Sequence, residues 1–363
     1  METAEVVIVG GGALGASVAS HLADLGVTDI VVLERETLGA GSTGKSAGGV
    51  RTQFADELNI RIALRSLAEL EAMGDEIELR PWGYLFLLDR EEDVRTFRAG
   101  LALQRSLGVP ARELAVDEAR ELVPQLELEG VLAATFCELD GYCSPDAVVQ
   151  WYARRATAKG VRFRQGCAVT GIHAPGGRIE RVDTDRGPIE TSIVVCTAGA
   201  WSGEVARFVD VDLPVRGEPR HMWFTPQDAG LPAELPLTID FTTSFYFHRE
   251  GPGLVFGGRE PRLEDIAEHA MRRLPVLAEL PIQSSWWGYY EVSPDHNALV
   301  GESTRVSRFL YATGFSGHGF QQAPAVGEYV AELVAGLEPS LDLSAFDVER
   351  FARGQERREA FVI

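Results

Sequence analysis

Residues 5–15 read EVVIVGGGALG, and this stretch narrows the fold more than any other. Val6, Val7, Ile8 and Val9 are all β-branched, a short apolar run that predicts a buried strand. Gly10, Gly12 and Gly15 then give the spacing G-x-G-x-x-G. The following ASVASHLADLG has a helical pattern. DIVVLERE predicts a second buried strand, ending in acid at Glu34. Strand, glycine turn, helix and strand within about thirty residues make a βαβ unit with parallel strands.

In that context each glycine has a separate task. Gly10 allows the tight turn, Gly12 lets backbone approach a pyrophosphate, and Gly15 lets helix and strand pack closely. The helix N-terminus offers free N–H groups and a positive dipole end to phosphate. Glu34 lies about twenty residues past the last glycine, where an acid accepts hydrogen bonds from a ribose. A dinucleotide is implied. The motif alone does not separate NAD from FAD.

Charge and cysteine content exclude other classes. The chain of 363 residues has 54 acidic against 34 basic residues, net −20. That disfavours nucleic acid and anionic membrane surfaces as partners, because both need positive charge. Cys137, Cys143, Cys167 and Cys196 lack the close pairing of a zinc site, and reduced, buried thiols are expected, with no metal. No apolar stretch reaches the roughly 18 residues of a membrane span. METAEVVIVGGG has no basic n-region before the first strand, so no signal peptide is expected, and the reading is cytoplasmic.

Further along, ADELNIRIALRSLAELEAM predicts a long helix and RPWGYLFLLD a strand. REEDVRTFRAGLALQRSLG reads as a surface helix, and DEARELVPQL as a short helix stopped near Pro124. Ser144 and Pro145 form a helix start, as N-cap and first helical residue. From Leu213 to about Tyr290 the text turns to proline, aromatics and alternation, which predicts an antiparallel sheet broken by one helix near 263–273. FLYATGFSGHGF predicts a last strand entering a second glycine-rich loop, and APAVGEYVAELVAG a closing helix. The fold class is therefore α/β with an α+β second domain. A Rossmann-type nucleotide-binding domain is assembled from residues 1–80, 145–212 and 291–363. A substrate domain comprises 81–144 and 213–290.

Four stretches together carry a family likeness: VIVGGGALGASVA, GAGSTGKSAGGVRTQF (39–54), VVCTAGAWS (194–202) and GFSGHGFQQAPAVGE (314–328). They resemble the D-amino-acid-oxidase-like flavoproteins, in the branch of sarcosine oxidase, glycine oxidase and dye-linked proline dehydrogenase. The likeness runs the length of the chain in the right order. It implies FAD. By resemblance, Glu34 and Arg35 meet the adenosine end, Ser42 and Thr43 follow the diphosphate, Val169 meets the adenine, and Ala198, Gly199 and Trp201 pass the cofactor again. Gly317, His318, Gly319 and Phe320 match the loop that closes over the flavin ring, where a Cβ is expected to collide with the ring.

The resemblance also implies a substrate side. Arg51 matches an arginine that grips a substrate carboxylate, for which a guanidinium is suited by its bidentate geometry. On residues alone, Arg51 is also readable as a surface charge or a partner of Asp56 or Glu57. Sarcosine oxidases carry a lysine where this chain has Gln321, so the carboxylate contact or the substrate differs. Tyr246 and Tyr290 match pocket aromatics, or else pack in a sheet core. Arg259 is a further pocket candidate, His318 a structural neighbour of the flavin, and Asp295–His296 a loop beside it. Gly288 stands where a cysteine anchors FAD in monomeric sarcosine oxidases, which implies non-covalent FAD. Val255 stands where those oxidases carry a lysine that speeds reaction with oxygen, so the resemblance implies slower electron transfer to oxygen and an acceptor other than oxygen becomes credible. The implied chemistry is hydride transfer from an amine or amino acid to flavin N5, with the imine product hydrolysing. The acceptor is oxygen or another species. An alternative is an FAD-bearing subunit or assembly factor of a hetero-oligomeric dehydrogenase that needs a partner subunit. A NAD-dependent dehydrogenase sharing only the first motif is disfavoured by the other three stretches.

Overall fold

The computed structural model describes residues 2–362. Its centre is a six-stranded sheet in the order Leu299–Glu302, Phe309–Thr313, Ile193–Cys196, Val6–Val9, Ile30–Leu33, Arg162–Arg164. All neighbours are parallel except the Leu299–Glu302 edge. The middle strands are apolar without alternation because both faces are covered. Helices Ala13–Asp24, Pro145–Ala158 and Gly319–Val334 pack on one face. A smaller four-stranded sheet and helix Ser202–Arg207 cover the other.

Glycine decides how closely these layers meet. Gly10 has φ +111°, and a Cβ there would overlap the carbonyl oxygen of Thr197. A Cβ at Gly15 would overlap the carbonyl oxygen of Gly10, which is the close helix–strand packing expected of the third glycine. Gly327 of the closing helix lies against Ser17 of the first helix. The helices that follow the two glycine loops therefore touch, and their N-termini open at the same edge of the sheet.

The closing helix starts earlier than the sequence pattern suggests. It runs Gly319–Val334, with His318 as N-cap and Pro324 inside it. Gly319 and Phe320 thus belong to its first turn, where backbone N–H groups lack partners within the helix. The helix after Asp56 spans Glu57–Ala72, capped by the Asp56 carboxylate on Leu58 N at 2.9 Å. Helix Pro145–Ala158 has the expected Ser144 cap.

The second large sheet has eight strands: Ser284–Val292, Arg216–Thr225, Gly253–Gly258, Phe245–Glu250, Leu237–Asp240, Tyr84–Leu88, Ala133–Cys137 and Arg112–Leu114. It is antiparallel apart from one pair, Leu237–Asp240 beside Tyr84–Leu88, which runs parallel. That pair joins strands 149 residues or more apart, so no hairpin dictates its direction. Helix Leu263–Arg273 lies against this sheet through Ile266, Ala270 and the buried Arg273, whose guanidinium meets Asp240 and Asp89.

Candidate active site

One cavity of about 430 Å³ runs from the first glycine loop to the face of the eight-stranded sheet, within the size range of cofactor and ligand sites. Gly10 and Gly12 line its near end, with Glu34 and Arg35 at the close of the second strand. The Glu34 carboxylate accepts from Gly11 N and Glu36 N, both at 2.9 Å, which braces the turn while leaving further lone pairs free. Arg35 stacks its guanidinium 3.9 Å from the Trp201 ring centre. Val169, Ala198 and Gly199 complete this end. Gly15 lies behind the lining, consistent with its packing role.

Loop 39–46 crosses the mouth of the first helix. Thr43 Oγ1 accepts from Ala13 N at 3.2 Å. The neighbouring Ser42 hydroxyl is buried and has no partner, although it lines the cavity. An orphaned hydroxyl costs free energy unless a ligand completes it. Beside it, Gly12 leaves backbone bare, its nearest obstacle being Thr43 Oγ1 at 3.0 Å from a built Cβ. Bare backbone, a helix N-terminus and an unpaired hydroxyl in one groove fit the diphosphate of a dinucleotide.

The second glycine loop enters the cavity from above. Gly317, His318, Gly319, Phe320 and Gln321 all line it. Gly317 has φ +96°, and its Cβ would meet Tyr290 Cε2 at 2.5 Å. A Cβ at 317 would therefore collide with this protein's own tyrosine. Glu291, on the same strand as Tyr290, ties the loop down. Its carboxylate accepts from Thr313 Oγ1 at 2.8 Å, and its main-chain carbonyl accepts from Ser316 N at 2.9 Å. Burial pushes this carboxyl up to about 7.

Arg51 is 4% exposed and lines the same cavity. Neither Asp56 nor Glu57 is its partner: Asp56 pairs with Arg357 and Glu57 with Arg61. Instead Arg51 donates to the carbonyl of Gln53, to His318 Nε2 at 2.9 Å and to the carbonyl of Phe361 at 2.5 Å. It stacks 4.1 Å from the centre of Phe54. Every one of these partners is neutral. Gln321 Oε1 accepts from the Arg51 backbone N at 2.6 Å, which leaves its amide NH₂ for other work.

Because a guanidinium only donates, His318 Nε2 must accept, and the imidazole is neutral with its proton on Nδ1. Burial, with Arg51 beside it, holds His318 well below the usual histidine range. Tyr246 and Tyr290 both line the cavity, and burial raises their phenols, Tyr246 the more strongly. Asp140 supports this region from behind, accepting from Thr52 N and Gln53 Nε2, with its carboxyl pushed up to about 6 by burial.

Several expectations need correction. Asp295 and His296 do not line the cavity; Asp295 forms a buried bidentate pair with Arg350 at 2.7 and 2.8 Å. Val255 is 1% exposed and set behind the lining, packed with Met222 and Tyr246. Arg259 is exposed, outside the lining, and donates to the Val362 carbonyl at 3.3 Å. Gly288 does line the cavity, and a Cβ there would meet Lys45 Cβ at 2.5 Å.

Other lining groups carried no signal in the chain order. Lys45, Tyr84 and Arg220 all line the cavity. Arg220 lies 4.8 Å from the centre of Tyr290, on the strand paired with it. Alternation along Arg216–Thr225 puts 218, 220 and 222 on one face, but only the sheet register shows which face meets the cavity.

Known proteins place this geometry. The family model for FAD dependent oxidoreductase (DAO) matches residues 5–333. The chain is 32% identical to FAD-dependent oxidoreductase domain-containing protein 1 of Mus musculus, over 99% of this chain and 87% of that protein. Sarcosine dehydrogenase, mitochondrial, of Mus musculus is 27% identical over 96% of this chain, which spans 41% of that longer protein. The crystal structure of L-proline dehydrogenase from P. horikoshii superposes with a TM-score of 0.92 at 31% identity, covering 98% of this chain and 100% of that one. No helix among the described residues is long and apolar enough to cross a membrane. The chain belongs to the DAO family of FAD-dependent oxidoreductases.

Proposed function

We propose that this protein oxidises a small amine bearing a carboxylate, a secondary or primary amino acid of the sarcosine, proline or glycine kind, to its imine. One observation carries the reading. Arg51 is a buried cation whose direct partners within the described residues are two carbonyls, an imidazole and two aromatic faces. No carboxylate of the described residues touches it; those of Asp140 and Glu359 act on it only from further away, and a bound anion in direct contact lowers the cost of burying the charge. Of the five guanidinium N–H groups, that of Nε and one of Nη1 are left, either of which can meet a carboxylate.

The lining of the cavity supports the other assignments. Gly10 and Gly12 let a diphosphate approach the bare turn, Ser42 and Thr43 offer their hydroxyls, and Glu34 and Arg35 the adenosine end, with Val169, Ala198, Gly199 and Trp201 as the surrounding wall. Gly317, Gly319 and Phe320 present the start of the closing helix. FAD, held non-covalently, supplies the two-electron acceptor. Gln321 offers its amide NH₂ beside Arg51, and Tyr246 and Tyr290 form the wall of the eight-stranded sheet. No protein base is needed if the amine arrives neutral. His318 has its free lone pair occupied by Arg51, and the buried tyrosines stay protonated. Catalytic gain then comes from orientation and from excluding water around Arg51.

The test is an anaerobic titration of the FAD-loaded protein with sarcosine, L-proline, glycine and other N-methyl amino acids, followed by flavin absorbance. Bleaching by a carboxylated amine, with KM raised about tenfold or more in Arg51→Ala, supports the reading. A yellow protein that none of them bleaches refutes it for the chain alone. Bleaching restored by a cell extract then identifies a subunit that needs a partner. Readmitting air shows whether oxygen reoxidises the flavin.

A further inference from the structure

Residues 357–361 pack behind the site. Glu359 is 1% exposed, and its carboxylate accepts from Ala55 N at 2.9 Å, Asp56 N at 3.1 Å, Asn59 Nδ2 at 3.0 Å and Phe361 N at 2.9 Å. Arg357 pairs with Asp56 at 2.7 Å, and its backbone N donates to Asp295. Segment 357–361 is thus fastened to segment 51–59, which carries Arg51. Phe361 is fully buried, its ring stacked on Phe97 at 3.9 Å and 7°. Gly100 makes room for that ring: a Cβ there would meet Phe361 Cζ at 2.6 Å.

These contacts close on themselves. Arg51 lies over Phe86 at 5.5 Å, Phe86 meets Phe97 at 5.2 Å, Phe97 stacks on Phe361, and the Phe361 carbonyl accepts from Arg51. We propose that segment 357–361 is a working part of the substrate site, with Phe361 a positioning residue. Its docked ring sets the carbonyl that holds one end of the Arg51 guanidinium, which aims the remaining N–H groups at a carboxylate and keeps water from behind. The inference rests on Arg51 as the carboxylate anchor. Since docking of the tail favours the carboxylate, the carboxylate must favour docking of the tail by the same factor.

The experiment uses the FAD-loaded full chain with acetate, a carboxylate it cannot oxidise. Hydrogen exchange at residues 357–361 slows with acetate, and does not slow with chloride at equal ionic strength. Phe361→Ala weakens acetate about tenfold, the scale of one misplaced charge-assisted hydrogen bond, and raises KM for a carboxylated amine by a similar factor while kcat falls much less. Phe361→Leu restores part of the loss. A merely structural residue lowers thermal stability without this split between KM and kcat. Unchanged exchange in the wild type, or a folded Phe361→Ala that binds acetate within twofold of wild type, overturns the proposal. Should Phe361→Ala fail to fold, the wild-type exchange decides. Arg51→Lys separates the two readings: acetate lost there but kept in Phe361→Ala removes only the role of the tail, whereas acetate kept in both removes the Arg51 anchor as well.

Discussion

Arg51 Nη2 donates to His318 Nε2 across 2.9 Å, joining the loop after the second strand to the second glycine loop, 267 residues later. The bond has a chemical consequence. It consumes the one lone pair that a neutral imidazole offers, so His318 orients Arg51 and takes no proton from substrate. Replacing His318 with Gln keeps an acceptor near Arg51, and replacing it with Phe does not. We expect KM for a carboxylated amine to rise about tenfold or more in His318→Phe, and less in His318→Gln. The pH–rate profiles keep the same limbs in both. Loss of an acid or alkaline limb in either variant would falsify the orienting role.

Without a protein base, the neutral amine is the competent form. The ratio kcat/KM should therefore rise with pH up to the amine's own pKa, and that inflection should move when the substrate is exchanged for one of different basicity. An inflection that stays at one pH across substrates would point to an enzyme group instead.

Ser42 separates stability from cofactor binding. Its hydroxyl is buried and unpartnered in the protein. Ser42→Ala should leave the thermal midpoint of the FAD-free protein unchanged or slightly raised, since it removes an unsatisfied group. FAD dissociation, followed by flavin fluorescence, should become several-fold to about tenfold weaker.

The two glycines of the first motif should fail in different ways. A Cβ at Gly15 overlaps the Gly10 carbonyl, whereas one at Gly12 meets only Thr43 Oγ1 at 3.0 Å. Gly15→Ala should destabilise the FAD-free protein by a few kcal/mol, the usual cost of overpacking. Gly12→Ala should fold nearly normally and lose FAD affinity. Thermal melts of the FAD-free proteins beside flavin titrations distinguish the two.

Glu291 adds a pH dependence of known sign. Burial raises its folded pKa to about 7 from the ordinary 4.5 of a glutamate. The folded state thus binds a proton that the unfolded state releases, and stability falls as pH rises from about 4.5 to about 7. Glu291→Gln should remove this loss, stabilising the FAD-free protein at pH 8 by up to about 3 kcal/mol and much less at pH 4.5. Equal effects at both pH values would show that the carboxyl is not titrating in the folded state.

Local chemistry alone determined much of this molecule. β-Branched runs, glycine spacing and helix caps are short-range features, so the βαβ unit, helix Pro145–Ala158 and helix Leu263–Arg273 stand where their residues place them. Family likeness extended that reading to FAD and to the residues that gather in one cavity. Tertiary structure decided the rest, because it depends on which distant segments meet. The parallel step in the eight-stranded sheet follows from strands with no short connection. The face of Arg220 depends on strand register. Asp295, which reads like a site residue, is drawn away by Arg350. Gly317 answers to Tyr290. The partners of Arg51 are Gln53, His318 and Phe361, and the last of these is 310 residues away. A buried guanidinium takes whichever acceptors packing brings to it, and one-dimensional order holds no record of that choice.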